Sequence, residues 1–485
     1  MQSLWSDTTE RLPSFGSFFD YQEERNKEIY SSQQQENEAY DIKTDVLIIG
    51  GGLAGILCAY ELHQNGIDYI LVEADTIGNG MTKDTTAKIT SQHRLIYGRI
   101  MEEFGLEKAK MYYNANENAL EKYRQICAGI DCDFEEKDSY VYSVHDPHKL
   151  LLELEAMEKI GYPAELVEHV PLSVENVGAV RFRNQAQFHP LKFIAAIAKE
   201  LCIFEHTKVI ELAPHLAKTN HGVVHAEQII IATHYPMLNK HGAYFLKMYQ
   251  SRSYVIAYSC QQANTVQGNE GAIFNEEREE PGGNCLQVDG MYVDEADTGY
   301  SFRNYKDMLL IGGSGKRTGK KSGKWEQISI FAAKNYPKAQ ERYRWAAQDC
   351  ITLDGIPYIG AYAKNTSGLL VATGFNKWGM TSAMAAAEIL TDQILGRENP
   401  NASVFDPQRT MVRKQLFING AEATKNLLTP SMERCPHMGC ALKWNPEERS
   451  WDCPCHGSRF EEDGTLINNP AVDDRKVKGD SKNEN

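Results

Sequence analysis

Hydrophobic and polar positions near the start of the chain follow a strand–turn–helix–strand order. The run DVLII at 45–49 is short and β-branched, which is typical of a buried strand. From Ile56 to Gln64 the apolar spacing becomes helical, and Asn65-Gly66 indicates where that helix ends. A second apolar run, DYILVEAD, predicts the next strand. The pattern therefore predicts a βαβ unit.

The turn of this unit has the spacing of a dinucleotide-binding loop. Gly50, Gly52 and Gly55 form G-x-G-x-x-G, and Glu73 ends the second strand. Gly50 would make the tight turn, Gly52 would admit a pyrophosphate, and Gly55 would let the helix pack on the strand. N–H groups at the helix start stabilise phosphate charge, and Glu73 would accept ribose hydroxyls. An ordinary βαβ unit with a glycine-rich turn is the less favoured alternative, since all parts occur in order.

Residues 251–310 alternate between apolar and polar positions, which predicts the strands of a separate substrate-binding sheet. From sequence alone, ordinary sheet aromatics are the favoured interpretation of the large side chains on these strands. Lys316 lies in the turn-like stretch GGSGKRTG, where a place near the cofactor and plain surface charge are equally compatible with the sequence. The candidates for lining the substrate site are Tyr254, Tyr258, Tyr300 and Arg303.

Length and charge restrict the class of protein. The 485 residues favour two or three domains. A net charge of −15 makes a nucleic-acid partner unfavourable, because phosphate backbones bind basic surfaces. No apolar run approaches the roughly eighteen residues of a transmembrane segment, and the first twenty residues lack the pattern of a secretory signal. We therefore expect no transmembrane segment and a cytoplasmic protein.

Four of the 11 cysteines lie within one short C-terminal stretch, CPHMGC to CPCHGS, together with two histidines. Such clustering indicates a metal or redox centre. Cys435 and His437 are spaced C-x-H, and Cys453 and His456 are spaced C-x-x-H. The segment between the two pairs is long enough for a hairpin that brings two loops together. Two thiolates and two imidazoles are suitable ligands for either zinc or a Rieske [2Fe–2S] cluster.

The same stretch resembles the quinol-oxidising Rieske proteins, which favours the iron–sulfur cluster. The resemblance implies cluster ligation by Cys435, His437, Cys453 and His456, and a disulfide bond between Cys440 and Cys455. Ser458 matches the serine of the family stretch G-S-x-Y, but Phe460 replaces its tyrosine. A hydroxyl donor is thereby lost, so we predict a lower reduction potential than in the quinol-oxidising type.

Three further stretches show which protein family the N-terminal part resembles. They are TIGNGMTKDTTAKIT after Glu73, EHTKVIEL with IIIATHYP, and LDGIPYIG with GLLVATGFNKWGMTSA. Together, over residues 40–395, they resemble the D-amino-acid-oxidase-like (DAO) superfamily of FAD-dependent oxidoreductases. The resemblance implies that FAD is the cofactor and that His234 replaces a more usual glycine. The cofactor-binding residues that it implies beyond the first loop are Gly80, Thr82, Val209, Gly374, Gly379 and Thr381.

Two of these positions bear on the chemistry. A helix starting near Gly379–Thr381 would point its positive end at the flavin. Thr381 also stands where the glycine and sarcosine oxidases have a substrate-binding lysine. An amine or larger amine conjugate is therefore favoured over a simple amino acid.

The patterns and the two resemblances together imply an α/β FAD-binding Rossmann-type domain, an α+β substrate domain with an antiparallel sheet, and a small all-β Rieske domain. We expect an FAD-dependent dehydrogenase that oxidises a C–N bond of an amine or amino-acid-like substrate by hydride transfer to flavin N5. Electrons would leave singly through the cluster to an unidentified one-electron acceptor. The alternatives are an electron-transfer or redox-sensing flavoprotein without a substrate, and a flavin monooxygenase. The predicted boundaries are an N-terminal arm at 1–40, the FAD domain at 41–100, 186–250 and 346–395, the substrate domain at 101–185 and 251–345, a linker at 396–424, the Rieske domain at 425–475 and a disordered tail at 476–485.

Overall fold

The computed structural model describes most of the chain, and the predicted N-terminal arm and C-terminal tail lie largely outside the described residues. Among those residues, no helix is both long and apolar enough to cross a membrane. The described residues are 2–9, 12–18, 20, 41–162, 164–237, 241–260, 286–320, 324–410 and 412–476.

The secondary structure divides into three sheets with helices packed against the first two. The helices are α1 Leu4–Thr8, α2 Leu53–Gln64, α3 Tyr97–Phe104, α4 Leu106–Cys127, α5 Pro147–Ile160, α6 Pro190–Ile197, α7 Tyr244–Lys247, α8 Trp325–Asn335, α9 Gly379–Ile394 and α10 Lys414–Leu428. The strands are β1 Asp41–Ile49, β2 Tyr69–Val72, β3 Lys88–Ile89, β4 Glu135–Tyr142, β5 Glu165–Val167, β6 Ala179–Gln187, β7 Ile203–Phe204, β8 Val209–Ala213, β9 Leu216–Thr219, β10 Gly222–Ile231, β11 Met248–Cys260, β12 Met291–Asp294, β13 Ser301–Tyr305, β14 Met308–Arg317, β15 Ala339–Thr352, β16 Tyr358–Ala361, β17 Leu369–Thr373, β18 Lys443–Asn445, β19 Ser450–Asp452, β20 Arg459–Phe460 and β21 Leu466–Asn468.

The first sheet is the predicted Rossmann-type sheet. Its strand order is β16-β17-β10-β1-β2-β7, and β1 pairs in parallel with both β2 and β10. Helices α2 and α9 pack together beside it through side chains such as Leu57 and Met384, which are buried in one core. The βαβ prediction is confirmed. Strand β1 begins earlier than the apolar run indicates, because its polar start, from Asp41, pairs with β10.

The second sheet has the order β15-β11-β14-β13-β12-β4-β6-β3, with β5 beside β6. Strands β4 and β12 pair in parallel, and the other pairings in this sheet are antiparallel. The predicted antiparallel substrate sheet is therefore confirmed apart from that one pairing. The long strands β11 and β15 lie at one edge, so their side chains are available to contact a further domain.

The third sheet is small and wholly antiparallel, in the order β18-β19-β20-β21. Its core contains the four C-terminal cysteines together with Leu442 and Phe460. The predicted all-β C-terminal domain is confirmed.

Candidate functional site: a nucleotide cavity beside a cysteine–histidine centre

The glycine loop between β1 and α2 is fixed by close backbone contacts at two positions. Gly50 has φ of +112°, and a Cβ there would lie 2.7 Å from the carbonyl oxygen of Ala232. A Cβ on Gly55 would lie 1.9 Å from the carbonyl oxygen of Gly50. A Cβ on Gly52 would meet nothing closer than Thr82 Oγ1, at 3.7 Å. Gly50 and Gly55 thus serve the turn and the helix packing, whereas Gly52 leaves space in front of the helix start.

Glu73 follows β2 and lies beside this loop. Its carboxylate accepts hydrogen bonds from the backbone N–H groups of Gly51 at 2.6 Å and Asp75 at 2.9 Å. Burial raises the pKa of Glu73, and these two hydrogen bonds oppose the rise. The carboxylate therefore lies at the strand end where the sequence predicts contact with ribose hydroxyls.

A cavity of about 840 Å³ lies in front of the loop, within the size range of small-molecule and cofactor sites. His234 lies on its wall with φ of +65°, a conformation that glycine adopts more easily, as expected for a residue replacing glycine. His234 Nε2 is buried and has no hydrogen-bond partner among the described residues, so a polar atom is left for a bound group. These features fit a dinucleotide. The predicted residues on the wall are Gly50, Gly52, Glu73, Gly80, Thr82, Val209 and Gly379.

Gly374 and Thr381, like Gly55, are not on this wall. Gly374 has φ of +73°, and a Cβ there would lie 2.3 Å from Thr352 Cγ2, so packing requires the glycine. The Thr381 hydroxyl donates to the carbonyl oxygen of Thr90 at 3.0 Å and lies 3.0 Å from His93 Nε2. Thr381 is almost fully buried in α9 and does not line this cavity, so its predicted contact with the cofactor stays a prediction.

A second, smaller cavity of about 110 Å³ adjoins the first and is bordered by the substrate sheet. Asp349, Lys377 and Gly379 lie on the walls of both cavities. Burial raises the pKa of the Asp349 carboxyl to about 6, and the charges of Lys377 and Arg252 oppose the rise. Burial also lowers the pKa of Lys377. The shared wall thus carries the Asp349 carboxyl and the Lys377 amine, whose ionisation depends on what occupies the cavities, and Asp84 lies on both walls as well.

Two further cations line the smaller cavity. Burial, with a contribution from Arg303, lowers the pKa of Lys88 to about 7. The guanidinium of Arg94 is paired with the carboxylate of Asp297 at 2.5 Å. Since Arg94 already has a partner, Lys377 and Lys88 are the side chains better placed to bind an anionic group.

The candidate residues on the substrate sheet differ in whether they line one of these cavities. Tyr254 lies on the wall of the smaller cavity and packs edge-on against Trp325 at 4.8 Å. Arg303 is buried and donates to the carbonyl oxygens of Thr86 at 2.7 Å and Ala87 at 2.8 Å, so it anchors a loop. Lys316 is exposed. Neither of these two cavities is lined by Tyr258, Tyr300, Arg303 or Lys316.

The C-terminal loops bring the predicted ligands together. Cys435 and Cys453 are buried and within hydrogen-bonding distance of each other through their thiols. The rings of His437 and His456 lie 4.9 Å apart, centroid to centroid, at 86°. Burial lowers the pKa of both imidazoles, which favours the neutral form that a metal ligand requires.

His456 Nδ1 is buried and has no hydrogen-bond partner among the described residues, so a ligand atom is left for a metal. Two soft thiolates next to two imidazoles, all in a compact pocket, fit a cluster with one sulfur-ligated and one nitrogen-ligated iron. When bound, such a cluster accepts and donates single electrons. The four residues that fit such a cluster are the same four that the sequence predicts as its ligands.

The two remaining cysteines lie beside these ligands. The Sγ atoms of Cys440, Cys453 and Cys455 all lie within 4.8 Å of one another. Cys440 and Cys455 are both free cysteines in this structure. Their sulfurs are close, but the predicted disulfide bond is not formed and stays a prediction.

Ser458 and Phe460 form the surroundings of the cysteine ligands. Ser458 Oγ accepts a hydrogen bond from the backbone N–H of Ala471 at 3.0 Å and lies within reach of the Cys435 sulfur. Its own proton is therefore available to donate to that sulfur. Phe460 is fully buried against the cysteines and has no polar atom to offer.

The comparisons with known proteins identify both parts. The profile of the DAO family, FAD dependent oxidoreductase, matches residues 45–393, and that of the Rieske [2Fe-2S] domain matches residues 392–478. The chain belongs to the DAO family of FAD-dependent oxidoreductases and carries a C-terminal Rieske [2Fe–2S] domain. Its cofactors are accordingly FAD and a Rieske cluster. The Rieske match begins at residue 392, ahead of the predicted boundary, which stays a prediction.

Relatives share one or both parts. YhfW of Bacillus subtilis, named as a Rieske 2Fe-2S iron-sulfur protein, is 32% identical over 89% of this chain and 92% of its own. The cytochrome b6-f complex iron-sulfur subunit 3 of Nostoc is 31% identical over 18% of this chain and 53% of its own. Glycine oxidase from Geobacillus kaustophilus has the same fold as the flavin part, with a TM-score of 0.60 and 19% identity over 76% of this chain and 100% of its own.

The Rieske domain is packed directly on the wall of the FAD cavity. Gln250 Nε2 donates to the carbonyl oxygens of His456 at 2.9 Å and Asn469 at 2.8 Å. Gln348 Nε2 donates to the carbonyl oxygen of Gly457 at 2.9 Å and to Gln250 Oε1 at 2.5 Å. Both glutamines are buried. Residues 465–469 of the Rieske domain line the large cavity itself.

A buried ion-pair network strengthens the same interface. The Arg252 guanidinium binds the carboxylate of Glu448, which also lies 3.3 Å from Arg459. Arg459 in turn pairs with Asp452 at 2.9 Å. This network and the two glutamines are not predictable from the sequence, because nothing local marks a polar residue as an interdomain contact. Lys377 was also missed, although it lies within the GFNKWG stretch that carries the family resemblance.

Proposed function

We propose that this FAD-dependent oxidoreductase oxidises a C–N bond of a small amine or amino-acid-like substrate, with electrons leaving through the Rieske cluster. The observation that carries the proposal is the shared wall of the two cavities, where Asp349 and Lys377 lie. FAD supplies a hydride acceptor when bound. The residues of the chain then have to bind the substrate, orient it and accept a proton.

Asp349 is the side chain suited to the amine end. Its pKa is raised to about 6 by burial, so it is ionised at neutral pH yet able to hold a proton. We propose that the carboxylate binds the substrate ammonium and takes one N–H proton. The resulting neutral amine can then give up hydride from the adjacent carbon.

Lys377 is suited to an anionic group on the same substrate. It lies in the loop before α9, with φ of +73°, and its ammonium is buried on the wall of the small cavity. An acid and a base on one wall match a substrate that carries both an amine and a carboxylate. Lys377 is a different position from Thr381, so the absence of lysine at Thr381 does not exclude a carboxylate.

The packing of the Rieske domain supports the proposed exit of electrons. The loop that carries His456 contacts Gln250 and Gln348, and Ala347 and Asp349 beside Gln348 line the FAD cavity. The ring of His437 lies 6.4 Å from that of Tyr235, and the ring of His456 lies 6.2 Å from that of Phe245. The ligand loops thus lie against the flavin domain. The final acceptor stays unidentified, and the cytoplasmic location stays a prediction.

The test is anaerobic mixing of the holoprotein with a panel of amines, N-methylated amino acids and amino acids, with flavin absorbance and cluster EPR as readouts. A substrate should bleach the flavin and give a reduced-cluster signal. Lys377→Met should slow reduction by carboxylated substrates by about 100-fold, whereas the exposed Lys364→Met should not. Reduction by dithionite alone, with no amine active, would favour a substrate-free electron-transfer protein. Oxygen-dependent formation of a hydroxylated product would favour a monooxygenase.

A further inference from the structure

Helix α10, which joins the flavin part to the Rieske sheet, has a reversed distribution of polar and apolar residues. Its buried positions are Asn419 and Asn426. Phe417 and Leu428 are 69% and 77% exposed, and they lie about three turns apart on one face. A helix that faces only water places its apolar side chains inward. The outer face of α10 therefore has the character of a surface that a partner covers.

The inner face explains why the asparagines are buried. Asn419 Nδ2 donates to the carbonyl oxygen of Leu246 at 3.0 Å, and its Oδ1 accepts from Arg317 at 2.8 Å. The carbonyl oxygen of Asn426 accepts from the backbone N–H of Ala441 at 3.0 Å. The helix is thus held in one orientation by polar contacts, and the exposure of Phe417 and Leu428 is a consequence of that orientation.

The exposed apolar surface continues from α10 to the cluster-binding loop. Arg434 connects the end of α10 to the cluster-binding loop, since its guanidinium donates to the carbonyl oxygens of Leu427, Thr429 and Gly439. Further exposed apolar side chains precede and follow Arg434 in the chain. We call the whole set the α10 surface, which consists of Val412, Phe417, Ile418, Leu427, Leu428, Met432 and Met438.

The charge around the α10 surface differs in sign from that of the chain. Lys414 and Lys425 are exposed on α10 and form no ion pair with another described residue, and Arg434 adds a third cation. The two acids of the same region are neutralised, Glu422 by Lys320 and Glu433 by Arg475. A positive rim on a protein of net charge −15 favours a negatively charged partner and disfavours a second copy of this chain.

We propose that the α10 surface is the docking site of an acidic one-electron carrier protein. The proposal rests on the exit of electrons through the cluster, but on no particular substrate. In the step that docking permits, the reduced cluster loses one electron and the carrier gains it, with no bond or proton change. An exposed apolar centre with a charged rim, next to the loop that carries His437, is the arrangement that brief docking of such a carrier requires.

The experiment uses dithionite-reduced holoprotein, so it does not depend on substrate oxidation. The probes are an oxidised acidic blue-copper protein of the plastocyanin type, a basic cytochrome c, and benzoquinone as a small neutral oxidant. We expect fast oxidation by the acidic carrier that slows by about 10-fold or more at high salt. Lys414→Glu with Lys425→Glu should slow that reaction by about 10-fold or more, and leave benzoquinone unaffected. Phe417→Ser with Leu428→Ser should do the same.

Matched controls come from helix α8 and the turn that follows it, where exposed side chains of the same types occur. Lys334→Glu with Lys338→Glu, and Ile330→Ser, should leave all rates unchanged. A second readout is independent of electron transfer. Carbodiimide should cross-link carboxylates of the acidic carrier to Lys414 or Lys425, as located by mass spectrometry.

Several results would overturn the proposal. They are equal losses in the control variants, a preference for the basic cytochrome c, and cross-links that avoid α10. Recruitment to phosphatidylglycerol vesicles, or dimerisation that the Phe417 and Leu428 variants abolish, would assign the surface to lipid or to a second copy instead. Oxidation by benzoquinone but not by the acidic carrier would refute docking while leaving the proposed C–N oxidation untouched.

Discussion

The amide nitrogen of Gln250 lies 2.9 Å from the carbonyl oxygen of His456, so a strand of the substrate sheet contacts a predicted cluster ligand directly. The same amide donates to Asn469, and Gln348 supports it from the neighbouring strand β15. Buried polar groups have to be hydrogen-bonded, so these contacts specify one position of the Rieske domain on the flavin part. The position matters because it holds the ligand loop against the wall of the FAD cavity.

Replacing Gln250 with leucine should loosen the Rieske domain. The carbonyl oxygens of His456 and Asn469 would lose a donor, which costs about 1–3 kcal/mol for a buried group. Hydrogen exchange in β18–β21 should accelerate and the free energy of unfolding should fall. Gln185→Leu, a buried glutamine of strand β6, should lower stability without accelerating exchange in the Rieske sheet. Unchanged exchange there in the Gln250 variant would contradict the role assigned to this contact.

Gly55→Ala should abolish stable FAD binding. The new Cβ would lie 1.9 Å from the carbonyl oxygen of Gly50, and neither backbone segment can move without opening the loop. We expect the purified variant to contain less than about a tenth of the FAD of the wild type, measured by absorbance after denaturation. Gly420→Ala in α10, where nothing lies within 4 Å of the added Cβ, should retain full FAD content and gain slightly in stability. Full FAD content in Gly55→Ala would show that the loop tolerates a side chain.

The parts of the site that could be predicted from sequence are those fixed by neighbours along the chain. Gly50, Gly55 and Glu73 belong to one contiguous unit, and the cysteines and histidines to another, so spacing predicts a dinucleotide loop and a metal or redox centre, and the family resemblance then favours the Rieske cluster over zinc. Gln250 and Gln348 meet only because β11 and β15, far apart in sequence, are adjacent in the folded sheet. Thr381 shows the opposite case, since a position equivalent in the motif is hydrogen-bonded to Thr90 and contacts His93. The reversed distribution of polar and apolar residues in α10 can be recognised only from the structure, in which Asn419 is buried.

Ser458 and Phe460 should set the reduction potential of the cluster in opposite directions. Ser458→Ala removes a donor to a cysteine sulfur, and Phe460→Tyr supplies one, while the reduced cluster carries the greater negative charge. A hydrogen bond worth about 1 kcal/mol more to the reduced form corresponds to about 40 mV for one electron. We expect a fall of that order for Ser458→Ala and a rise for Phe460→Tyr. EPR-monitored redox titration measures both, with Phe245→Tyr as a control for aromatic substitution beside the histidines. No rise in Phe460→Tyr would mean that the added hydroxyl does not reach the sulfur.

The rate at which substrate reduces the flavin should rise with pH through about 6. Burial raises the pKa of the Asp349 carboxyl to about 6, so below that pH it is neutral and unable to bind an ammonium group or accept its proton. Asp349→Asn should lower the rate by about 100-fold or more and remove this limb from the profile. Asp84→Asn is the matched control, because Asp84 also lines both cavities and burial raises its pKa to about 6 as well, whereas its charged neighbours include Arg459 and Glu448 of the Rieske domain. The Asp84 variant should keep the limb.

Stability gives an independent check on the ionisation of Asp349. Its folded-state pKa lies above the ordinary value of 3.8, so the folded protein binds more protons than the unfolded chain between pH 4 and 6. The contribution of Asp349 to stability therefore falls as pH rises through that window and is constant above it. In Asp349→Asn the free energy of unfolding should fall less over the same window, as measured by chemical denaturation. If the kinetic limb persisted in this variant while its stability profile flattened, the carboxyl would titrate as described but would take no part in proton transfer, and the proton acceptor would have to be sought elsewhere on the cavity wall.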